Sequence, residues 1–127
     1  MSYNPLDVVC WNVRGLNSQV RKKALREFVG SLRVAIVCIV ESKLEYVDQY
    51  IIVQCLGPSY DGFAYLPATE TRGGIVMGWD SSRVQISNIA LDSFSLSGYV
   101  APKEGNPWWL TVVYGPQEDE DKIAFLD

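Results

Sequence analysis

No histidine occurs among the 127 residues, so no imidazole is available to act on water or phosphate. Cysteine is scarce and odd in number, at Cys10, Cys38 and Cys55, each in apolar surroundings. That fits buried thiols in a reducing compartment better than a disulfide framework. No apolar run is long enough to span a bilayer, and no secretory signal is apparent, so no membrane role is expected. Basic residues are too few to outweigh the acids, and the net charge of −4 argues against a general nucleic-acid binder. Low-complexity tracts and internal repeats are missing as well.

What the sequence does contain is apolar residues, 48% of the total, arranged in blocks that can bury the core of a single domain over 1–127. Charge is unevenly placed. Six of the eleven basic residues fall between Arg14 and Arg33, while Glu118, Asp119, Glu120, Asp121 and Asp127 make the end acidic. Two solvated faces explain this most simply; a front-to-tail contact between two copies is the sharper alternative. The basic amphipathic segment 20–32 resembles an organelle address. It follows an apolar strand, however, and reads better as a folded helix, which leaves cytosol or nucleus ahead of mitochondrion.

The pattern opens β-α-β. Leu6 to Trp11 is apolar on both parities apart from Asp7, as in a fully buried strand. Asn17 or Ser18 can cap a helix whose apolar positions are Val20, Ala24, Leu25, Phe28, Val29 and Leu32. Val34 to Val40 is a second buried strand, at the spacing a parallel crossover needs. A helix over 45–56 stops at Gly57-Pro58, and Gly62 to Leu66 forms a short strand. Strands then follow one another from Gly74 to Tyr114, with turns at Asp80-Ser81-Ser82 and 103–107. They are expected to form an antiparallel meander joined to the parallel pair. From Glu118 a further helix begins, with acids in its first turn. The fold class is therefore α/β: one mixed sheet with helices on one face.

Asn12 and Glu41 fall just past the C-terminal ends of two neighbouring parallel strands, the rim on which open α/β sheets build sites. Both offer hard oxygen ligands suited to Mg²⁺. A turn asparagine and a post-strand glutamate are also ordinary, and alone the pair signals little. Tyr114 could hold a phosphate oxygen, although a half-buried tyrosine with a polar tip is commoner. Arg72-Gly73-Gly74 offers a cation and backbone N–H groups; a loop needing glycine to enter a strand is the simpler account. Trp108-Trp109 places one ring on each face of a strand, as packing residues would.

These residues gain meaning together. Trp11-Asn12-Val13-Arg14-Gly15-Leu16-Asn17 resembles the opening motif of the endonuclease/exonuclease/phosphatase superfamily. Glu41-Ser42-Lys43 resembles its second motif, Q-E-T-K. Gly73-Gly74-Ile75 through Trp79-Asp80, and Trp108 to Pro116 with the acidic stretch after it, also match. The flavour is that of the apurinic/apyrimidinic-type endonuclease of plant LINE retrotransposons. The resemblance implies half of a four-layer α/β sandwich. It implies Asn12 and Glu41 as ligands of a catalytic Mg²⁺, and Tyr114 on the scissile phosphate. Val40 stands for the usual Gln and Ser42 for the usual Thr, which loosens the surroundings of that metal. The family's later G-D-F-N and S-D-H segments, which orient the attacking water, do not occur here.

The expectation is a vestigial Mg²⁺ site that requires no cofactor and binds Mg²⁺ weakly at most. The protein is expected not to be an enzyme, because the missing groups act as a unit with those present. It is expected instead to act as a truncated, retrotransposon-derived pseudoenzyme, through contacts with a second copy or another protein. The contact surface would be a sheet face that half a sandwich leaves uncovered. The alternative is a residual Mg²⁺-dependent nuclease or nucleic-acid-binding protein, motivated by Asn12, Glu41 and Tyr114 at one rim with Arg14 and Lys43 nearby.

Overall fold

The structure, a computed structural model, describes residues 8–70 and 72–115. Leu6, Asp7, Pro116 and the helix expected from Glu118 lie outside the described residues. Strand β1 (Val8–Asn12) leads into helix α1 (Gln19–Leu32) and returns as β2 (Ile36–Val40). The two strands pair in parallel, with Val8 opposite Ile36 and Asn12 opposite Val40. This is the β-α-β opening expected. Ser18 begins α1, its hydroxyl accepting from the Arg21 N–H at 3.1 Å and satisfying one of the orphan donors of the first turn. Leu25 and Val29 are the fully buried residues of α1, whereas Val20 is 79% exposed and Phe28 42%. The apolar stripe is thus narrower than its sequence pattern, because one sheet rather than a full ring of neighbours faces it.

Helix α2 (Gln49–Cys55) is shorter than the segment expected to be helical. Asp48 accepts from the Ile51 N–H at 2.9 Å and starts the helix there, leaving residues 45–47 as an approach loop. Strands β3 (Gly62–Leu66) and β4 (Ile75–Trp79) follow, and both join the first sheet. Its order is β1-β2-β4-β3, with β4 antiparallel to both neighbours. Gly78 and Gly62 matter here. A Cβ on Gly78 would lie 2.5 Å from Leu56 Cδ1, and Trp79 covers Gly62 so closely that no side chain fits.

Beyond β4 the architecture departs from one mixed sheet. The turn at Asp80-Ser81-Ser82 carries the chain into another layer. There β5 (Val84–Leu91), β6 (Ser95–Pro102) and β7 (Trp108–Val113) form a separate antiparallel sheet. Alternation predicted the strands and their pairing, but it carries no information about which sheet a strand joins. The protein is therefore α/β in three layers: helices, a mixed four-stranded sheet and an antiparallel three-stranded sheet.

Each interlayer space has its own core. Leu25, Val29, Val37, Ile39, Ile52, Leu56 and Val76 fill the space under the helices. Ile36, Cys38, Ile75 and Met77 of the first sheet meet Val84, Leu96, Val100 and Val112 of the second. Ile36, Cys38, Ile75 and Met77 are 0% exposed. The sheet face expected to lie bare, and to recruit a partner, is thus covered by the protein's own second sheet.

What remains open, among the described residues, is the two sides of the sandwich, since each sheet has two edge strands. Strand β7 stacks over β2, and β5 stacks over β3 and β4, so β1 and β7 lie on the same side. Among the described residues each is paired on one edge only. This corrects the reading of β1 as fully buried: Cys10, Trp11 and Asn12 are exposed, because nothing among the described residues covers the outer edge of that strand. The thiols correct likewise. All three are free, with Cys38 and Cys55 buried but Cys10 exposed. Burial holds the Cys38 thiol well above its ordinary range and pushes Cys55 up to about 11. No helix among the described residues is long and apolar enough to cross a membrane.

Candidate functional site

Three loops, each containing residues singled out from the sequence, meet at the end of the first sheet where β1 and β2 terminate. They are held chiefly by backbone bonds. Gly15 N–H donates to the Glu41 carbonyl at 2.8 Å and Leu16 N–H to the Ser42 carbonyl at 2.8 Å. Ser42 N–H donates to the Gly74 carbonyl at 3.1 Å, and Lys43 N–H to the Gly73 carbonyl at 2.8 Å. The Asn17 amide adds a bond to the Lys43 carbonyl at 2.9 Å. Segments 12–17, 41–43 and 73–74 are thereby laced into one rim.

The lacing requires unusual backbone. Arg14 (φ 55°), Glu41 (φ 58°) and Lys43 (φ 60°) occupy the left-handed region, as do Gly73 (φ 71°) and Gly74 (φ 93°). For a non-glycine residue that conformation costs about 1–3 kcal/mol and tends to gather at functional sites. Gly74 also has no room for a side chain: a Cβ would lie 2.5 Å from Ser42 Oγ and 3.2 Å from the Lys43 nitrogen. Ser42 is completely buried, and its hydroxyl accepts from the Leu44 N–H at 3.2 Å. The glycine pair is thus what a strand entry in close contact with a neighbouring loop demands.

Asn12 and Glu41 are brought into direct contact. The Asn12 Nδ2 donates to Glu41 Oε2 at 2.5 Å, and Asn12 Oδ1 accepts from the Arg14 N–H at 3.1 Å. The amide is therefore engaged at both ends. Tyr114 reaches the same rim by another route, through the second sheet. Its ring packs on Gly73, where a Cβ would lie 3.0 Å from Cε2 and 3.4 Å from the hydroxyl. Its backbone N–H donates to the Phe94 carbonyl at 2.8 Å. Lys43 lies over Gly15, with Cδ 3.3 Å from where a Cβ would stand. Arg21 Nη1 bonds the Val13 and Arg14 carbonyls at 3.3 and 3.2 Å and holds the first loop against α1.

The fit to Mg²⁺ follows from these partners. The ion favours oxygen ligands in an octahedron, keeps several waters, and commonly takes one or two carboxylates. Glu41 supplies one carboxylate. Asn12 would supply its oxygen only after its amide reverses, which removes the acceptor of the Arg14 N–H. The pair fits a hydrated ion with one firm protein ligand. Among the described residues, no three of the acidic, cysteine or histidine type cluster to form a metal site.

The positive-φ backbone at Arg14, Glu41 and Lys43 was not read from the sequence. Gly15, directly after Arg14, was the one local cue to it. Trp108 packs on the intersheet core and Trp109 is 57% exposed, one ring per face as expected. Trp109 packs against Tyr99 in a tilted ring contact, with centroids 5.0 Å apart.

No family model and no curated protein matches this chain. Solved structures do. The AP endonuclease LMAP from Leishmania major matches with a TM-score of 0.57 and 23% identity, over 84% of this chain and 39% of that one. The APE2 catalytic domain of Xenopus laevis matches with a TM-score of 0.63 and 17% identity, over 91% of this chain and 46% of that one. The chain thus spans less than half the length of either. At such identities the likeness is one of fold: the layered α/β architecture here is that of the AP endonucleases, consistent with the endonuclease/exonuclease/phosphatase fold.

Proposed function

We propose that this chain is an interaction protein built on an endonuclease-like fold, derived from the N-terminal half of a plant LINE-retrotransposon endonuclease. It acts by docking to protein rather than by cleaving phosphodiesters. The observation that carries the reading is the side of the sandwich edged by β1 and β7. Two strand edges, β1 and β7, stand there unpaired among the described residues, and both are free of charged residues and proline. Soluble proteins ordinarily blunt such edges with charge, proline or a covering element, and unblunted ones pair with other chains. The rim supports the same conclusion. Asn12 and Glu41 bond each other, and these 127 residues contain no imidazole to activate water.

A second reading, a residual Mg²⁺-dependent nuclease, is favoured by one observation. Asn12, Glu41, Lys43 and Tyr114 converge on a rim whose backbone holds left-handed conformations. Nicking of supercoiled plasmid in Mg²⁺, comparing the wild-type chain with Glu41→Ala, separates the two. Equal background from both proteins is the expected result. Nicking that depends on Glu41 would overturn the interaction reading.

A further inference from the structure

We propose that the side edged by β1 and β7 is occupied by a second copy of this chain, with β1 of one copy pairing antiparallel to β1 of the other about a two-fold axis through Cys10. This rests on the interaction reading above and names its partner. The Val13 N–H points inward, to the Val40 carbonyl at 3.1 Å. Strand alternation then turns the N–H and C=O groups of Val8, Cys10 and Asn12 outward, to the unpaired edge. Those groups make a symmetric template centred on Cys10. An antiparallel partner running through the same three residues satisfies every one of them, and such an isologous contact closes at two copies.

The surface around the template carries apolar residues in all three layers. Phe28 of α1 packs against Trp11 of β1 in a tilted ring contact, centroids 4.4 Å apart, and the two are 42% and 40% exposed. Cys10 is exposed on the opposite face of β1, toward the second sheet. On the second sheet, Trp108 and Leu110 point toward the intersheet core yet stay only partly buried, because β7 is an edge. A side about 20 Å long, from a six-residue strand, and about 30 Å high, from three layers of about 10 Å, offers roughly 600 Å² per copy. The total of about 1,200 Å² reaches the lower bound of stable, specific interfaces. A partner must also present an equally charge-free edge, and this chain carries one.

The test is the mass of the full chain by light scattering at micromolar concentration, with Cys10→Lys and Val113→Lys as edge variants. Cys10 and Val113 are both exposed, so each lysine is accommodated in the lone copy. The expected result is a wild-type dimer that Cys10→Lys converts to a monomer with an unchanged circular-dichroism spectrum; Val113→Lys weakens it. A second measurement needs no variant fold. Pairing about Cys10 sets its Cα about 5.5 Å from its copy, within the span a disulfide bridges. Diamide should oxidise the two thiols to one disulfide, itself taking up the two electrons and two protons as the hydrazine. The product is a reducible covalent dimer, lost in Cys10→Ser. A wild-type monomer, a dimer indifferent to Cys10→Lys, or no Cys10-dependent crosslink would each overturn the proposal. A monomer that does not nick plasmid leaves the interaction reading standing with a different partner; Glu41-dependent nicking removes that reading itself.

Discussion

Replacing Met77 with alanine probes whether the second sheet really covers the first. Met77 sits mid-strand in β4, is 0% exposed, and lies in the core shared with Val84, Leu96 and Val100. Its sulfur comes within 3.9 Å of where a Cβ on Gly98 of β6 would stand. Truncation removes three heavy atoms from a space closed on both sides, so transfer and cavity costs add, at about 2–5 kcal/mol for such a site. If the face were bare, as half a sandwich with one sheet would leave it, solvent would fill the gap and the cost would fall below about 1 kcal/mol. Total stability of a domain this size is about 5–15 kcal/mol, so the difference is easily read. Urea denaturation followed by circular dichroism and tryptophan fluorescence supplies the value, with Thr111→Ala on the outer face of β7 as the exposed comparison. A midpoint shift matching that of Thr111→Ala would refute the layered packing. Should Met77→Ala not fold, Ile75→Val is the gentler form, with about 0.5–1.5 kcal/mol expected.

Other consequences are as concrete. Ser18→Ala should cost about 1 kcal/mol by removing the acceptor of the Arg21 N–H, measured by the same denaturation. Gly74→Ala forces a Cβ against Ser42 Oγ at a backbone of φ 93° and should destabilise by more than about 1 kcal/mol, whereas Gly30→Ala, which meets nothing within 4 Å, should stabilise α1 by about 1 kcal/mol. In the native protein a maleimide should leave Cys38 and Cys55 unlabelled, both reacting only in the denatured chain; labelling of either in the native protein would contradict the burial. The Cys55 thiol titrates near 11 when folded against 9.0 in its ordinary range. Burial favours the neutral thiol, so its contribution to stability is complete below pH 9 and is lost as pH rises through 11; Cys55→Ala should flatten that loss in alkaline melts.

The parts of the fold that follow from local chemistry were legible. Ser18 supplies its cap wherever the helix packs, and the unbroken run Ile36–Val40 could only be a strand buried on both faces. The meeting of Asn12 and Glu41 was legible too, since parallel neighbours end at one rim. Layer assignment was not. Val84 and Ile86 alternate identically whether β5 extends the first sheet or crosses over it, and the turn at Asp80 does not tell which. Nor was the edge position of β1: its residues are as apolar as those of β2, and only topology leaves one exposed and the other enclosed. The left-handed backbone of Glu41 and Lys43 escaped notice because it is imposed by bonds from distant loops.

The chain passes from one sheet to the other at a single place among the described residues, the turn at Asp80–Arg83. All pairing within β5–β7 is between strands adjacent in sequence. The first sheet instead joins β1 to β2 across a helix, and β2 to β4 across a helix and a strand. Short-range pairings close with less entropy lost, so the three-stranded layer should acquire its amide protection first during refolding, with the mixed layer assembling upon it. Pulsed hydrogen exchange would read that order directly: simultaneous protection of Val37 and Val100 would mean that the two layers form as one.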